Sequence, residues 1–197
     1  MSKLHLSNKE SLFRKRFLVT AALFVAVLGA IAQSRPLWMR YGAISPDGRT
    51  IAFSYKGDLY TVPSAGGEAR QLTSNAAYDS YPVWSPDGKK IAFSSNREGS
   101  LDVFLIAREG GAPVRLTTDS GNETPLTFTD NTHVLFECSG IPSPQNIIFP
   151  NGSFTQVYQV ETTAGRRPRI FSEISMPGLS INKDGAVLYH DMKGYED

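Results

Sequence analysis

Serine chemistry is the first possibility that the residues raise. Ser180 and Lys183 have the Ser-x-x-Lys spacing of some serine nucleophiles, and the two histidines that follow the N-terminal segment are His133 and His190. A nucleophilic serine also needs a base and an orienting acid close by, and the sequence contains no Gly-x-Ser-x-Gly elbow. Ser180 and Lys183 flank a turn that recurs in the chain, and His190 follows a predicted strand. We therefore assign no catalytic residue.

Metal, cofactor and nucleic-acid chemistry find no better support. No cluster of Cys and His offers metal ligands, and no glycine-rich loop leads into a helix that could hold phosphate. Cys138 is the single cysteine, so an intrachain disulfide is excluded. The aspartates stand mostly singly at turns, where they can cap backbone groups. We expect no metal, no cofactor and no nucleic-acid partner.

The N-terminus has the organisation of a secretory signal peptide. Five basic side chains and one acidic side chain precede an apolar run from Phe17 to Ala32, which ends in small residues. The run has sixteen residues, whereas a spanning helix needs about 20. We expect export to a bacterial periplasm with cleavage after Ala32, and an uncleaved membrane anchor is the alternative. Residues 33–197 then carry 15 basic and 18 acidic groups, with no basic patch for nucleic acid.

A repeat of about forty residues organises the rest of the chain. Residues 44–53 and 84–93 are identical or similar at eight of ten positions, and each begins a unit that passes through a Gly-Gly pair and closes on Leu-Thr. The second unit contains four strand-sized pieces: Tyr81–Trp84, residues 91–94, Leu101–Ala107 and residues 114–117. Residues 96–100 are predicted to form a polar turn. Such a period with four strands per unit is typical of a β-propeller blade.

Strand 101–107 is predicted to pack on both faces, with Val103 and Leu105 on one and Phe104 and Ile106 on the other. The sequence thus predicts an all-β fold of propeller blades, each with four antiparallel strands. The blades cover approximately residues 37–73, 78–117, 122–173 and, incompletely, 175–197. In the third blade, residues 139–154 are expected to form an insertion loop.

Three and a half blades are fewer than a closed ring with buried faces requires, since propellers close with four to eight. We therefore expect residues 33–197 to be a partial propeller, as in an N-terminal fragment or an incomplete gene model. A four-bladed ring closed by a strand from another copy is the alternative. Two open blade faces would make this part poorly soluble or self-associating when isolated.

The repeated phrase resembles the PD40 (WD40-like) repeat of the TolB propeller, the tricorn protease and the propellers of prolyl-oligopeptidase-type enzymes. The approach to the first blade, residues 37–60, looks like the start of exported bacterial tricorn protease homologues, and the resemblance covers Leu37 to Asp197. It implies turn and packing roles rather than chemistry for the blade motif. That motif comprises Ser45, Pro46, Asp47, Gly48, Ser85, Pro86, Asp87, Gly88, Asp184, Gly185, Trp84, Phe53 and Phe93.

The same resemblance implies a role for the chain. In that family, propellers precede a PDZ domain and an S41-type serine-peptidase core, and they are thought to filter or pass peptides. The partners implied are peptides and the remaining blades and protease domains of the same polypeptide, with a homo-oligomer of the full-length protein left open. A periplasmic TolB-like interaction module and the propeller cap of a prolyl-oligopeptidase-type enzyme remain alternatives.

Overall fold

The computed structural model describes residues 38–119, 121–139, 155–163, 165–172, 176, 178–182 and 184–190. Every regular element within these ranges is a β-strand. In the same ranges there is no helix long and apolar enough to cross a membrane. The predicted signal peptide, residues 140–154 of the predicted insertion loop, and Lys183 lie outside the described residues.

The first sheet, blade 1, contains strands β1 (Arg40–Ile44), β2 (Thr50–Tyr55), β3 (Asp58–Pro63) and β4 (Arg70–Gln71). They lie in chain order, and every neighbouring pair is antiparallel. The predicted blade of four antiparallel strands is confirmed.

Blade 2 repeats this order with β5 (Asp79–Trp84), β6 (Lys90–Glu98), β7 (Ser100–Ala107) and β8 (Val114–Arg115). The polar turn predicted from residue 96 to residue 100 is wrong in length, because β6 runs on to Glu98. A register irregularity after Ser95 accommodates the extra residues, and the turn is confined to the region of Gly99.

The outer strand β8 is also shorter than the predicted range of 114–117. Leu116 and Thr117 leave the ladder but still bond to β7. The Leu116 amide donates to the Val103 carbonyl at 2.8 Å, and the Val103 amide donates to the Thr117 hydroxyl at 2.9 Å. At this position a side-chain hydroxyl thus replaces a backbone carbonyl as the acceptor.

Blade 3 contains β9 (Asn122–Asp130), β10 (His133–Ser139), β11 (Thr155–Glu161) and β12 (Arg169–Ser172). A two-stranded hairpin follows, with β13 (Ser180–Ile181) and β14 (Val187–Leu188). The inner strands of consecutive blades contact one another, β1 with β5 and β5 with β9. The described strands therefore form successive propeller blades, and they do not close a ring.

The turn between the first two strands of blades 1 and 2 is built by a local hydrogen-bond network. In blade 1 the Ser45 hydroxyl donates to the Asp47 carboxylate at 2.6 Å, and the Arg49 amide donates to the same oxygen at 3.0 Å. Gly48 adopts φ 70°, a conformation that disfavours other residues. In blade 2 the Ser85 hydroxyl donates to Asp87 at 2.7 Å in the same way.

The core lies between the blades. Phe104 and Ile106 of β7 pack in a cluster with blade 1, whereas Val103 and Leu105 pack in a cluster with blade 3. The two-faced packing predicted for this strand is confirmed. Full burial of such side chains contributes roughly 1.5–3 kcal/mol each, so adjacent blades stabilise one another.

Candidate functional site

Each of the two inner strands β1 and β5 contains a β-bulge with a tyrosine in it. The ladder of β1 slips between Arg40 and Ala43, and that of β5 slips between Ser80 and Val83. Tyr41 and Tyr81 occupy these bulges, each with φ 53°. A left-handed backbone is uncommon for a bulky residue, and bulges are a means of re-aiming side chains. The two bulges bring the tyrosines together.

The rings of Tyr41 and Tyr81 lie with their centroids 4.0 Å apart and tilted by 36°. The mutual interaction of the two hydroxyls lowers the pKa of Tyr41 and raises that of Tyr81 to about 12. Arg40 and Tyr78 also lower the pKa of Tyr41. Tyr81 remains 37% exposed, so this pair can contact a ligand.

A pocket of about 460 Å³ adjoins this pair at the end of blade 1 where β2 turns into β3. The connection from β4 to β5 forms its other side. Because the strands alternate in direction, both connections lie at the same end of the blade. The side chains that matter for its chemistry are Arg40, Ser54, Lys56 and the aromatic residues Trp38, Tyr55 and Tyr78.

A tight hairpin turn holds Lys56 at this pocket. Tyr55 pairs with Asp58, and the two residues between them, Lys56 and Gly57, have φ 53° and 92°. Two consecutive positive φ values are the signature of a type I′ turn, which matches the twist of the flanking strands. A Cβ on Gly57 would lie 3.5 Å from the Ala77 carbonyl oxygen, so the turn packs closely on the β4–β5 connection.

The charge of the pocket is positive. The Lys56 ammonium lies 5.3 Å from the centroid of the Tyr55 ring, and the Arg40 guanidinium lies 5.5 Å from that of Trp38. No acidic residue lines the pocket, and neither cation forms an ion pair with any residue that the structure describes. Two cations held over aromatic faces suit an anionic ligand.

Ser54 adds an unsatisfied hydroxyl to the pocket wall. It is 3% exposed, and its Oγ has no hydrogen-bond partner among the described residues. Ser94 occupies the same position in blade 2, and its hydroxyl donates to the Glu123 carbonyl of blade 3 at 2.7 Å. A buried polar group without a partner destabilises the fold. Of these two equivalent serines, only Ser54 has such an unpartnered hydroxyl.

A second electrostatic feature lies between blades 2 and 3. Glu123 is fully buried and accepts a hydrogen bond from the Thr117 hydroxyl. Burial, together with the nearby carboxylates of Asp102 and Asp119, raises its pKa to about 7. Asp102 is itself buried and pairs with Arg115 at 2.7 Å, between Oδ2 and Nη2. This cluster lies in the core between blades, away from the pocket.

The residues considered for catalysis are not assembled into a site. His133 is on the surface with its Nδ1 3.0 Å from Asp130 Oδ2, and His190 packs beside Gly178. Neither imidazole has a hydrogen bond to a serine hydroxyl within the described ranges. Ser180 lies in β13, and its proposed partner Lys183 lies outside these ranges. No group of three acidic, Cys or His side chains in the described part could hold a metal ion.

The blade-motif residues lie in the turns and core rather than at the pocket. Trp84 and Phe93 belong to the cluster between blades 1 and 2, Phe53 is also buried, and Asp47 and Asp87 lie in the turns at the opposite end from the pocket. The turn of the hairpin is held by Asn182, whose side chain accepts from the amides of Asp184 and Ala186.

Sequence reasoning missed the pocket because it assigned the recurring aromatic residues to packing. Trp38 is 74% exposed and Tyr78 is 40% exposed, so these two are surface residues. One signal was present: Tyr41 and Tyr81 are spaced by the forty residues of the repeat. The φ > 0 bulges that aim them have no signature in the sequence.

Known proteins resemble this chain over different lengths. Tricorn protease homolog 1 of Streptomyces coelicolor is 32% identical over 90 residues, which cover 46% of this chain and 8% of that protein. Dipeptidyl-peptidase 5 of Porphyromonas gingivalis is 31% identical over 105 residues, or 48% of this chain and 15% of that protein. The chain therefore spans only a small part of these two curated relatives.

Solved structures show the same fold. The crystal structure of TolB from Acinetobacter baumannii matches with a TM-score of 0.59 and 19% identity, over 80% of this chain and 39% of that one. The family described as the tricorn protease N-terminal beta propeller domain matches residues 36–196. The predicted resemblance is thereby confirmed, and the chain belongs to the family of tricorn protease N-terminal β-propeller domains.

Proposed function

We propose that this chain is the propeller portion of an exported tricorn-like serine peptidase and that it admits or hands over peptides rather than cutting them. The family assignment supports the peptidase context. The described residues supply no paired nucleophile and base, which is consistent with a binding role. In this proposal the remaining blades and protease domains of one polypeptide are its partners, and export to the periplasm brings it to its peptides.

The observation that carries the proposal is the bulged pair Tyr41 and Tyr81 on the inner strands. Consecutive inner strands contact one another, so these tyrosines belong to strands on the side of the blades where a propeller has its axis. Their rings offer flat surface and their hydroxyls offer hydrogen bonds, and both suit peptides of varied sequence. The adjoining pocket extends this surface.

Photo-crosslinking tests the proposal. A short peptide carrying a benzophenone side chain is irradiated with the chain, and the labelled residues are mapped by mass spectrometry. We expect labelling near Tyr41, Tyr81 and Trp38, and we expect its loss in the double variant Tyr41→Ala/Tyr81→Ala. The matched control is Tyr189→Ala, which removes a tyrosine of similar exposure, 38%, from the hairpin. Labelling confined to outer strands, or equal loss in the control, would contradict the proposal.

A second candidate is the propeller part of a dipeptidyl-peptidase. The 31% identity to Dipeptidyl-peptidase 5 over 105 residues favours it. The two candidates differ in the region that follows the propeller in the gene. A Gly-x-Ser-x-Gly elbow with later Asp and His would favour this second candidate, whereas a PDZ-like and S41-type region would favour the first.

A further inference from the structure

We propose that the pocket formed by Arg40, Ser54 and Lys56 binds the side-chain carboxylate of an aspartate or glutamate within a peptide. The inference rests on the proposed function in taking a peptide as the ligand, and it adds a preference for acidic sequences. A carboxylate is the peptide group that meets both requirements of this pocket, compensation of positive charge and a hydrogen bond to a buried hydroxyl.

The pocket carries positive charge without a carboxylate partner in the described part of the chain. Arg40 is on β1 and Lys56 is in the β2–β3 turn, so two different elements each place a cation at one pocket. By contrast, Arg97 is paired with Asp79 and Arg108 with Asp47. Arg40 and Lys56 have aromatic neighbours but no carboxylate among the described residues. The carboxylate of a bound ligand would provide this missing negative partner.

The Ser54 hydroxyl can donate a hydrogen bond to the same ligand as Arg40. Ser54 pairs directly with Arg40 across the β1–β2 ladder, and directly opposed residues point to the same face of a sheet. The unpartnered Oγ is therefore on the same side as the guanidinium. A carboxylate that accepts from both would satisfy the hydroxyl, and hydrogen bonds to charged groups are about twice as strong as neutral ones.

The size and aromatic lining of the pocket suit a peptide. A volume of about 460 Å³ is more than one carboxylate fills, and Trp38 and Tyr78 are exposed around it. These rings can contact the residues that flank the acidic side chain on either side. The arrangement therefore fits an acidic residue inside a peptide better than a small inorganic anion.

The chain offers matched controls for both kinds of group. Ser80 is 1% exposed with an unpartnered Oγ, like Ser54, but it does not line the pocket. Arg49 is an exposed cation in the turn at the opposite end of blade 1. Ser80→Ala and Arg49→Gln therefore reproduce the chemical changes of Ser54→Ala and Lys56→Gln away from the pocket.

The experiment measures binding by fluorescence anisotropy of three labelled peptides, the first two with both termini blocked. One peptide carries a central glutamate, a second carries glutamine at that position, and a third lacks acidic side chains but has a free C-terminal carboxylate. We expect the glutamate peptide to bind at least roughly tenfold more tightly than the other two. Ser54→Ala and Lys56→Gln should remove most of this preference, and Ser80→Ala and Arg49→Gln should keep it. Lys56 is exposed, so its variant tests the preference independently of the buried position Ser54.

Several outcomes would overturn the inference. Equal binding of the glutamate and glutamine peptides would leave the proposed function standing and remove the acidic preference. Binding of none of the peptides would contradict both. Equally tight binding of the peptide with the free C-terminus, full competition by millimolar inorganic phosphate, or equal effects of Ser80→Ala and Ser54→Ala would each exclude an acidic side chain as the ligand of this pocket.

Discussion

The carboxylate of Asp79 is held by Arg97, whose Nη2 lies 3.0 Å from each of its two oxygens. Asp79 is completely buried, and the Arg97 side chain is only 13% exposed. The guanidinium also lies 4.7 Å from the centroid of Phe104, and its Nε donates to Ser95 at 2.9 Å. This ion pair connects β5 to the extended end of β6 and explains why β6 continues past the predicted turn.

Removal of this cation should destabilise blade 2. The variant Arg97→Met leaves the Asp79 carboxylate buried without its partner, and breaking such a pair costs roughly 3–5 kcal/mol. We expect a loss of about 3 kcal/mol in the free energy of unfolding measured by urea denaturation. Arg49→Gln, a change of an exposed cation, should alter it by less than about 0.5 kcal/mol. A loss in Arg97→Met no larger than that of the control would contradict this role.

The pKa of Glu123 predicts how stability depends on pH. Its folded value of about 7 lies above the ordinary 4.5, so the folded state binds a proton that the unfolded state has already released between these values. Stability from this group is complete below pH 4.5 and is lost as the pH rises to 7, by about 3 kcal/mol in all.

Glu123→Gln tests this dependence because it keeps a neutral hydrogen-bonding side chain at all pH values. We expect unfolding free energies of the variant to fall less steeply between pH 4.5 and 7 than those of the original chain. Glu109→Gln, an exposed change at the β7–β8 turn, should keep the original slope. Identical slopes in all three proteins would show that Glu123 titrates normally.

The serines at equivalent positions of β2 and β6 should respond differently to alanine. Ser94→Ala removes the hydroxyl that donates to the Glu123 carbonyl across blades 2 and 3, so we expect a loss of about 1 kcal/mol in unfolding free energy. Ser54→Ala removes a hydroxyl without a described partner and should be neutral or stabilising. Thermal unfolding of the two variants under the same conditions compares their stabilities. A larger loss of stability in Ser54→Ala than in Ser94→Ala would contradict an unpartnered Ser54 hydroxyl.

Trp84 should stabilise the contact of blades 1 and 2 in two separable ways. Its ring is 8% exposed, and its indole N–H donates to the Ala43 carbonyl at 3.0 Å. Trp84→Phe should cost about 1 kcal/mol for the hydrogen bond, and Trp84→Ala should cost about 3–5 kcal/mol for the packing. Urea denaturation followed by circular dichroism measures both, with the exposed change Trp38→Phe as the control. Equal losses in Trp84→Phe and Trp84→Ala would contradict separate contributions of the hydrogen bond and the packing.

Much of the fold was predictable because the repeat carries its own local signals. The turn at Asp47 and Gly48 is encoded by residues that hydrogen-bond within five positions of one another, and the two-faced strand around Val103 and Phe104 is encoded by its apolar composition. Strand ends were less predictable where distant partners set them. Arg97 extends β6 through a carboxylate eighteen residues away, and this pairing has no local pattern.

The candidate site was less predictable for the same reason. Arg40, Ser54 and Lys56 come from two strands and a turn, and each is unremarkable in the sequence. Their positions depend on the β1–β2 register and on the positive φ of the turn, which only the folded chain displays. The repeat spacing of Tyr41 and Tyr81 was visible, but burial was needed to distinguish a surface role from packing.

Sequencing the source DNA past the codon for Asp197 tests the proposal that this propeller serves a serine peptidase. We predict a reading frame that continues through further blades into a PDZ-like and S41-type serine-peptidase region, and we predict that the expressed product hydrolyses peptides. A stop codon directly after Asp197, or a continuing frame that encodes no peptidase region, would contradict the claim.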